Sequence, residues 1–332
     1  MNKIAFTICS INYLAQAKTL GDSLTKQNPD YQFFIGLVDR LEGSAVDRTK
    51  LPDYELVEVE KLTIEGFADM FDRYNITELN TAVKPFFLQY FYDKYPEAQT
   101  VSYFDPDIEV FEPLSDLDQN LEHYSLVLTP HTLSPYPDGL NPKERDLLNT
   151  GVFNLGFIGT SRTAETIEFL KWWQQKLRFE CFIDLANGMF VDQLWVNFAP
   201  IYWQKVLIYR HLGYNMAYWN LHERNLGFKS EKYFVNVDQP LVFFHYSGYN
   251  PEKPTHISKY QNRYSFETRP DIKALFDGYA KTLQTNGYEY FQQFACAYMK
   301  PPVPWTYPRR GQRPRKWAIK QLKKLIEMVK TI

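Results

Sequence analysis

The chain has 332 residues, 45% hydrophobic and 23% charged, with a formal net charge of −2, an ordinary globular composition with enough apolar material for a sizeable core. No apolar run approaches the roughly 18 residues that a membrane span needs. Cys9, Cys181 and Cys296 are odd in number and far apart, which argues against a disulfide framework or a thiolate metal site and suits a reducing cytoplasm.

The opening, Met1-Asn2-Lys3 followed by IAFTICSI, superficially resembles a signal peptide. Its apolar stretch is short and broken by Thr7, Cys9 and Ser10, so residues 3–11 read as a buried first strand. A helix is expected through about residue 27, with Leu14, Ala17, Leu20 and Leu24 on one face. "QFFIGLV" (32–38), ending at Asp39-Arg40, reads as a second strand, and the alternating "YELVEVEK" (54–61) as a third. Strand and helix in alternation predict a mostly parallel α/β sheet covered on both faces, with ligands at the carboxyl ends of the strands.

Residues 80–92 read as a helix with Pro85 near its start, followed by a strand running into Asp105. A strand over 124–130, a polar loop over 131–148, a strand over 151–160 and a helix over 163–178 come next, and "PLVFFHYSG" (240–248) is a late strand reaching His245. Five prolines between Pro301 and Pro314 mark a semi-rigid linker. Beyond it, residues 309–332 carry nine Lys/Arg against Glu327 alone, a net +8 that leaves about −10 on the rest. Ala318, Leu322, Leu325, Ile326 and Val329 recur there at helical spacing. This basic amphipathic helix either lies on an anionic membrane surface or packs on the body with a solvated face. The acidic body, with no basic aromatic groove, argues against nucleic acid.

"VSYFDPDIEVF" (101–111) carries the chemistry. On an extended backbone Asp105 and Asp107 project to one side, and two adjacent carboxylates repel unless a cation neutralises them. Mg²⁺ or Mn²⁺ would do so and keep open positions for phosphate oxygens. Alone, an Asp-Pro-Asp is equally a solvated turn. Read with "SINYLAQA" (10–17), "LVDR" (37–40), "LNTGVFNLGF" (148–157), "FVDQLWVN" (190–197) and "HYSGYNPEKP" (245–254), it resembles the nucleotide-sugar-dependent glycosyltransferases of GT-A fold, in particular glycosyltransferase family 8, over about residues 3–260.

That resemblance implies a metal held by Asp105, Asp107 and His245, with Gly248 and Lys253 completing the late motif and Lys253 facing the leaving diphosphate. Asn12 and Tyr13 match the nucleotide-base pocket, although Ser10-Ile11 stand where the family has an acidic pair. Asp39 is a partner for ribose or base, or a turn residue; Lys84 approaches the nucleotide or is a solvated helix lysine. Asn149 and Gly151 match a segment that admits the donor sugar, and Asp192 and Gln193 a pair near the anomeric carbon, with a helix cap as the plain reading of Asp192. In "WNLHER" (219–224), His222 or Glu223 offers a base, or Glu223 pairs within its loop.

The expectation is therefore a GT-A-like domain over 1–265 and a helical extension over 266–332. The enzyme would move a hexose, with retention, from a nucleotide diphosphate sugar such as a UDP-sugar to a hydroxyl of a surface-glycan or lipid-linked acceptor. It would be cytoplasmic, or peripheral on the inner membrane face. A nucleotidyltransferase acting on sugar phosphates, or a non-catalytic sugar- or partner-binding protein of the same fold, are the alternatives; the glycine-free "SINYLAQAK" after the first strand counts against the former.

Overall fold

A computed structural model of the protein describes residues 2–300. The basic helix expected at 309–332 and the linker at 301–314 lie outside the described residues. From the N-terminus come β1 (Asn2–Cys9), β2 (Tyr31–Leu37), β3 (Glu55–Glu58), β4 (Ala98–Phe104), β5 (Ile108–Val110), β6 (Leu126–Pro130) and β7 (Phe153–Ser161). A short hairpin follows, β8 (Ile183–Asp184) and β9 (Met189–Phe190), and then β10 (Val206–Ile208). The ribbon β11 (Leu226–Lys229), β12 (Lys232–Val235) and β13 (Gln239–Pro240) precedes β14 (Phe243–His245).

Seven strands form one sheet in the order β10-β6-β7-β4-β1-β2-β3. All neighbours run parallel except β7, which is antiparallel to β4 and β6. The period-2 rule explains why β1 and β2 are apolar on both faces over Ile4–Ile8, Thr7 apart, and Phe33–Leu37. Ala5 and Cys9 join one hydrophobic layer with Phe33, Ile35 and Leu37. Ile4, Phe6 and Ile8 join the opposite layer with Phe34. A sheet buried on both faces favours near-continuous apolar runs over alternation. The helix Leu14–Gln27 covers the first layer through Leu14, Ala17, Leu20 and Leu24. The helices Lys84–Lys94 and Ala164–Phe179 cover the second through Phe87, Phe91, Phe169 and Trp173.

The loop expected over 131–148 runs into a helix of about two turns, Glu144–Thr150, capped by the Asp146 carboxylate accepting from the Lys143 amide at 2.9 Å. Met1–Tyr298 forms one compact unit. It includes the helices Lys273–Thr285 and Tyr288–Gln292, which lie in the stretch expected from sequence to form the extension beginning at 266. Their apolar faces, Leu275, Phe276, Tyr279, Leu283 and Phe291, belong to the same buried layer as the helix Leu14–Gln27. Among the described residues no helix is long and apolar enough to cross a membrane.

Candidate active site

At the carboxyl end of β4 the chain turns. The Ile108 amide donates to the Asp105 carbonyl at 3.2 Å, closing a four-residue turn around Pro106. Asp105 and Asp107 are thus brought together by a turn, not by the extended backbone expected from their i, i+2 spacing. β5 then pairs antiparallel with β14, and Ile108 stands opposite His245. The Tyr246 amide donates to the Asp107 carbonyl at 2.8 Å. A three-residue ladder therefore delivers an imidazole from late in the sequence to the acidic turn.

The His245 Nε2 lies 3.0 Å from Asp107 Oδ1 and 3.6 Å from Asp105 Oδ2. One donor atom from each of the three residues falls within 4.8 Å of the others. The two carboxylates remain about a third and a quarter exposed, while the ring is buried. Burial alone would depress His245, but the Asp107 and Asp105 carboxylates more than offset it, and its pKa ends above the ordinary value. Tyr103 donates to Asp105 Oδ1 at 2.6 Å and orients it. Gly156 leaves room for the ring: a Cβ there would lie 2.4 Å from His245 Cε1. Two hard oxygen donors and an imidazole on one open-sided cluster match what Mn²⁺ or Mg²⁺ accepts.

Behind this cluster lies a second charged pair. Lys84, 1% exposed, donates to Asp192 Oδ2 at 2.5 Å and to the Leu155 carbonyl at 2.6 Å. Its ammonium sits 4.3 Å above the Tyr103 ring, the same tyrosine that holds Asp105. Burial raises the Asp192 carboxyl above its ordinary value, and Lys84 offsets this only in part. The lysine is not solvated, and Asp192 makes no side-chain cap to the short helix Gln193–Val196. Val191, immediately before it, holds φ at 37°, costly for a β-branched residue. Gln193 donates from Nε2 to the Thr150 carbonyl at 2.8 Å, beside Gly151, whose φ of 116° favours glycine. Asn149 lines a shallow depression with Arg145, Asp146 and Leu148.

The remaining expected residues divide. Asn12 and Tyr13 form the 3-10 turn after β1, and Tyr13 is 43% exposed. Burial of its hydroxyl, with the Asp107 charge, pushes its phenol up to about 12. Gly248, with φ of 72°, follows β14 and packs on Ser258 and Tyr260. Lys253 is exposed, in a turn whose amide donates to the Asn250 carbonyl at 2.9 Å.

Asp39 needs correction. It is 1% exposed, and its oxygens accept from the amides of Ile11 (3.1 Å), Arg40 (2.9 Å) and Ala297 (2.8 Å). It ties the loop after β1 to the segment after the last helix, and three backbone amides occupy its oxygens. Glu223 likewise accepts from the Leu133 amide at 3.0 Å and the Ser134 hydroxyl at 2.7 Å, and pairs with Arg224 at 3.4 Å. It is a clamp on the loop 132–134, not a free base.

Sequence reasoning missed Asn154 and Asn215. Asn215 is fully buried and lies 3.3 Å from His245 Nδ1 through its Oδ1. Asn154, inside the fully buried strand β7, accepts from Asn215 Nδ2 at 3.0 Å. A polar residue amid "GVFNLGF" was a legible signal, because buried amides need partners. Asn215, at φ of 53° after Gly213-Tyr214, gave none.

No protein-family model matches the chain. It is 25% identical over 279 residues to the uncharacterized protein YfnF of Bacillus subtilis (strain 168), covering 83% of this chain and 90% of that protein. YfnD of the same organism is 24% identical over 286 residues, covering 84% and 88%. Among solved structures, an active-site mutant of LgtC superposes with a TM-score of 0.50 at 16% identity, over 88% of this chain and 100% of that one. The bifunctional glycosyltransferase WbbM does so with a TM-score of 0.51 at 16% identity, over 89% and 52%. At such identities the likeness establishes architecture: the described residues have the GT-A fold of these glycosyltransferases.

Proposed function

We propose that the protein is a metal-dependent glycosyltransferase that moves a hexose from a nucleotide diphosphate sugar to a hydroxyl of a glycan or lipid-linked acceptor. The observation that carries this reading is the convergence of Asp105, Asp107 and His245 at the carboxyl end of a central strand in a GT-A sheet. In this reading those three residues would hold a divalent cation, which supplies charge neutralisation to the departing diphosphate. Tyr13 offers an accessible aromatic face for the base, and Lys253 an exposed ammonium for the phosphates. Asp192, fixed by Lys84, presents a pre-set polar edge to the sugar, with Gln193 beside it.

Transfer with retention is favoured because the carboxylates that could deprotonate an acceptor are engaged elsewhere. Asp192 is paired with Lys84, and Glu223 clamps its loop. The proton would then pass to the leaving phosphate oxygen. The donor base and sugar, and anchoring on anionic membranes through residues 309–332, extend the proposal.

A test uses the full-length protein with a panel of nucleotide diphosphates and sugar nucleotides, with and without Mn²⁺, in thermal-shift and donor-hydrolysis assays. Metal-dependent stabilisation by one nucleotide, lost in Asp107→Asn, supports the reading. Stabilisation that survives this substitution unchanged overturns the metal role.

A further inference from the structure

A chain of buried side chains with a single hydrogen-bond direction runs behind His245. It begins at a backbone donor: the Gly156 amide donates to Asn154 Oδ1 at 3.1 Å. A peptide N–H cannot accept, so this contact fixes which end of the Asn154 amide is oxygen. Asn154 Nδ2 therefore faces His131 Nε2, at 3.3 Å, and that nitrogen must accept. The His131 proton then sits on Nδ1, which donates to the Val152 carbonyl at 3.3 Å. Burial lowers the His131 pKa to about 4, which keeps the ring neutral and able to accept. Both ends of this segment are backbone groups that cannot reverse.

The same Asn154 oxygen accepts from Asn215 Nδ2 at 3.0 Å, and that amide also donates to the Thr129 hydroxyl at 2.9 Å. With Nδ2 directed at two oxygens, Asn215 must turn its Oδ1 to His245 Nδ1, 3.3 Å away. Asn220 braces the arrangement by donating to the carbonyls of His131 (3.2 Å) and Asn215 (2.9 Å). Trp219 stands edge-on to both imidazoles, at 5.1 and 5.2 Å, so neither ring can swing freely. His131, Asn154, Asn215 and His245 are each at most 8% exposed.

We propose that Asn215, itself oriented by Asn154, is a positioning residue that holds the His245 proton on Nδ1 and so directs the Nε2 lone pair at the Asp105–Asp107 mouth. This inference rests on the metal reading above and adds to it the group that decides which nitrogen binds. A metal-bound imidazole depends on the partner of its other nitrogen for tautomer and ring angle, and loss of that partner costs about 10–100-fold in affinity.

The experiment uses full-length protein labelled with ¹⁵N at its six histidines, with His245 assigned from the spectrum of His245→Gln. In the Mg²⁺-loaded wild type, the ¹⁵N–¹H correlations are expected to show His245 protonated at Nδ1. Mn²⁺ titration, read from the paramagnetic resonance of the free ion, is expected to give an affinity about 10–100-fold weaker for Asn215→Leu than for wild type. Asn154→Leu, whose loss releases the Asn215 amide to rotate, is expected to shift it in the same direction by less. A wild-type His245 carrying its proton on Nε2, or an Asn215→Leu affinity within twofold of wild type, overturns the proposal. If Asn215→Leu does not fold, the wild-type tautomer and Asn154→Leu decide. Wild type that binds no Mn²⁺ overturns the metal reading itself, so the two failures are told apart.

Discussion

Two kinds of carboxylate sit at the same end of this sheet. Asp105 and Asp107 are partly exposed; among the described residues, the Tyr103 hydroxyl and the His245 ring are the side-chain groups that meet them. Asp39, Asp192 and Glu223 are buried or nearly so, and each is matched by backbone amides or a cation. All five looked functional in the sequence. The difference teaches that a carboxylate available for chemistry is recognised by unmatched lone pairs and access to solvent, not by its place at a strand end. The matched ones set the walls.

The comparison can be broken most forcefully at Lys84. Lys84→Met leaves Asp192 buried without its cation, and a loss of about 3–5 kcal/mol of folding free energy is expected in denaturant unfolding. A loss below 1 kcal/mol would show that Asp192 is not truly enclosed. Asp107→Asn should do the reverse: thermal stability close to wild type, with metal-dependent turnover reduced on the order of 10²–10³-fold in kcat/KM. Comparable activity in the variant would move Asp107 from the available class to the matched one.

His131 provides a pH-dependent probe of the buried wall. Its pKa is about 4 in the folded chain against 6.5 when free, so the unfolded state binds a proton that the folded state refuses. The contribution is full above 6.5 and is lost as pH falls toward 4, about 3 kcal/mol over that window. Urea unfolding at stepped pH should show this slope, and His131→Gln should flatten it. The smallest effect separates clamp from base at Glu223. Glu223→Gln should cost about 1–2 kcal/mol of stability and leave turnover within a few-fold; a collapse of turnover with stability intact would restore it as the base.

The layers of the sheet were legible because β1 and β2 are largely apolar on both faces instead of alternating, and the helix Leu14–Gln27 writes its buried face at helical spacing. Asp105, Asp107 and His245 were legible as a set only through the order of several motifs, since nothing local connects β5 to β14. Lys84 and Asp192 were each singled out, yet their pairing across the fold left no trace in either neighbourhood. Asp39 misled because a strand-end aspartate reads the same whether it meets a ligand or three peptide amides. The amide of Ala297 that completes its set comes from a stretch with no periodic signal.

The ladder between β5 and β14 sets the order in which the molecule becomes competent. During synthesis the acidic turn emerges long before the strand that carries the ring, and until that strand docks, the turn offers two carboxylates without their imidazole. A nascent or clipped chain ending before residue 245 would keep most of the sheet but lack the imidazole, so under the proposed metal reading ion capture would report that the C-terminal part of the chain has come home.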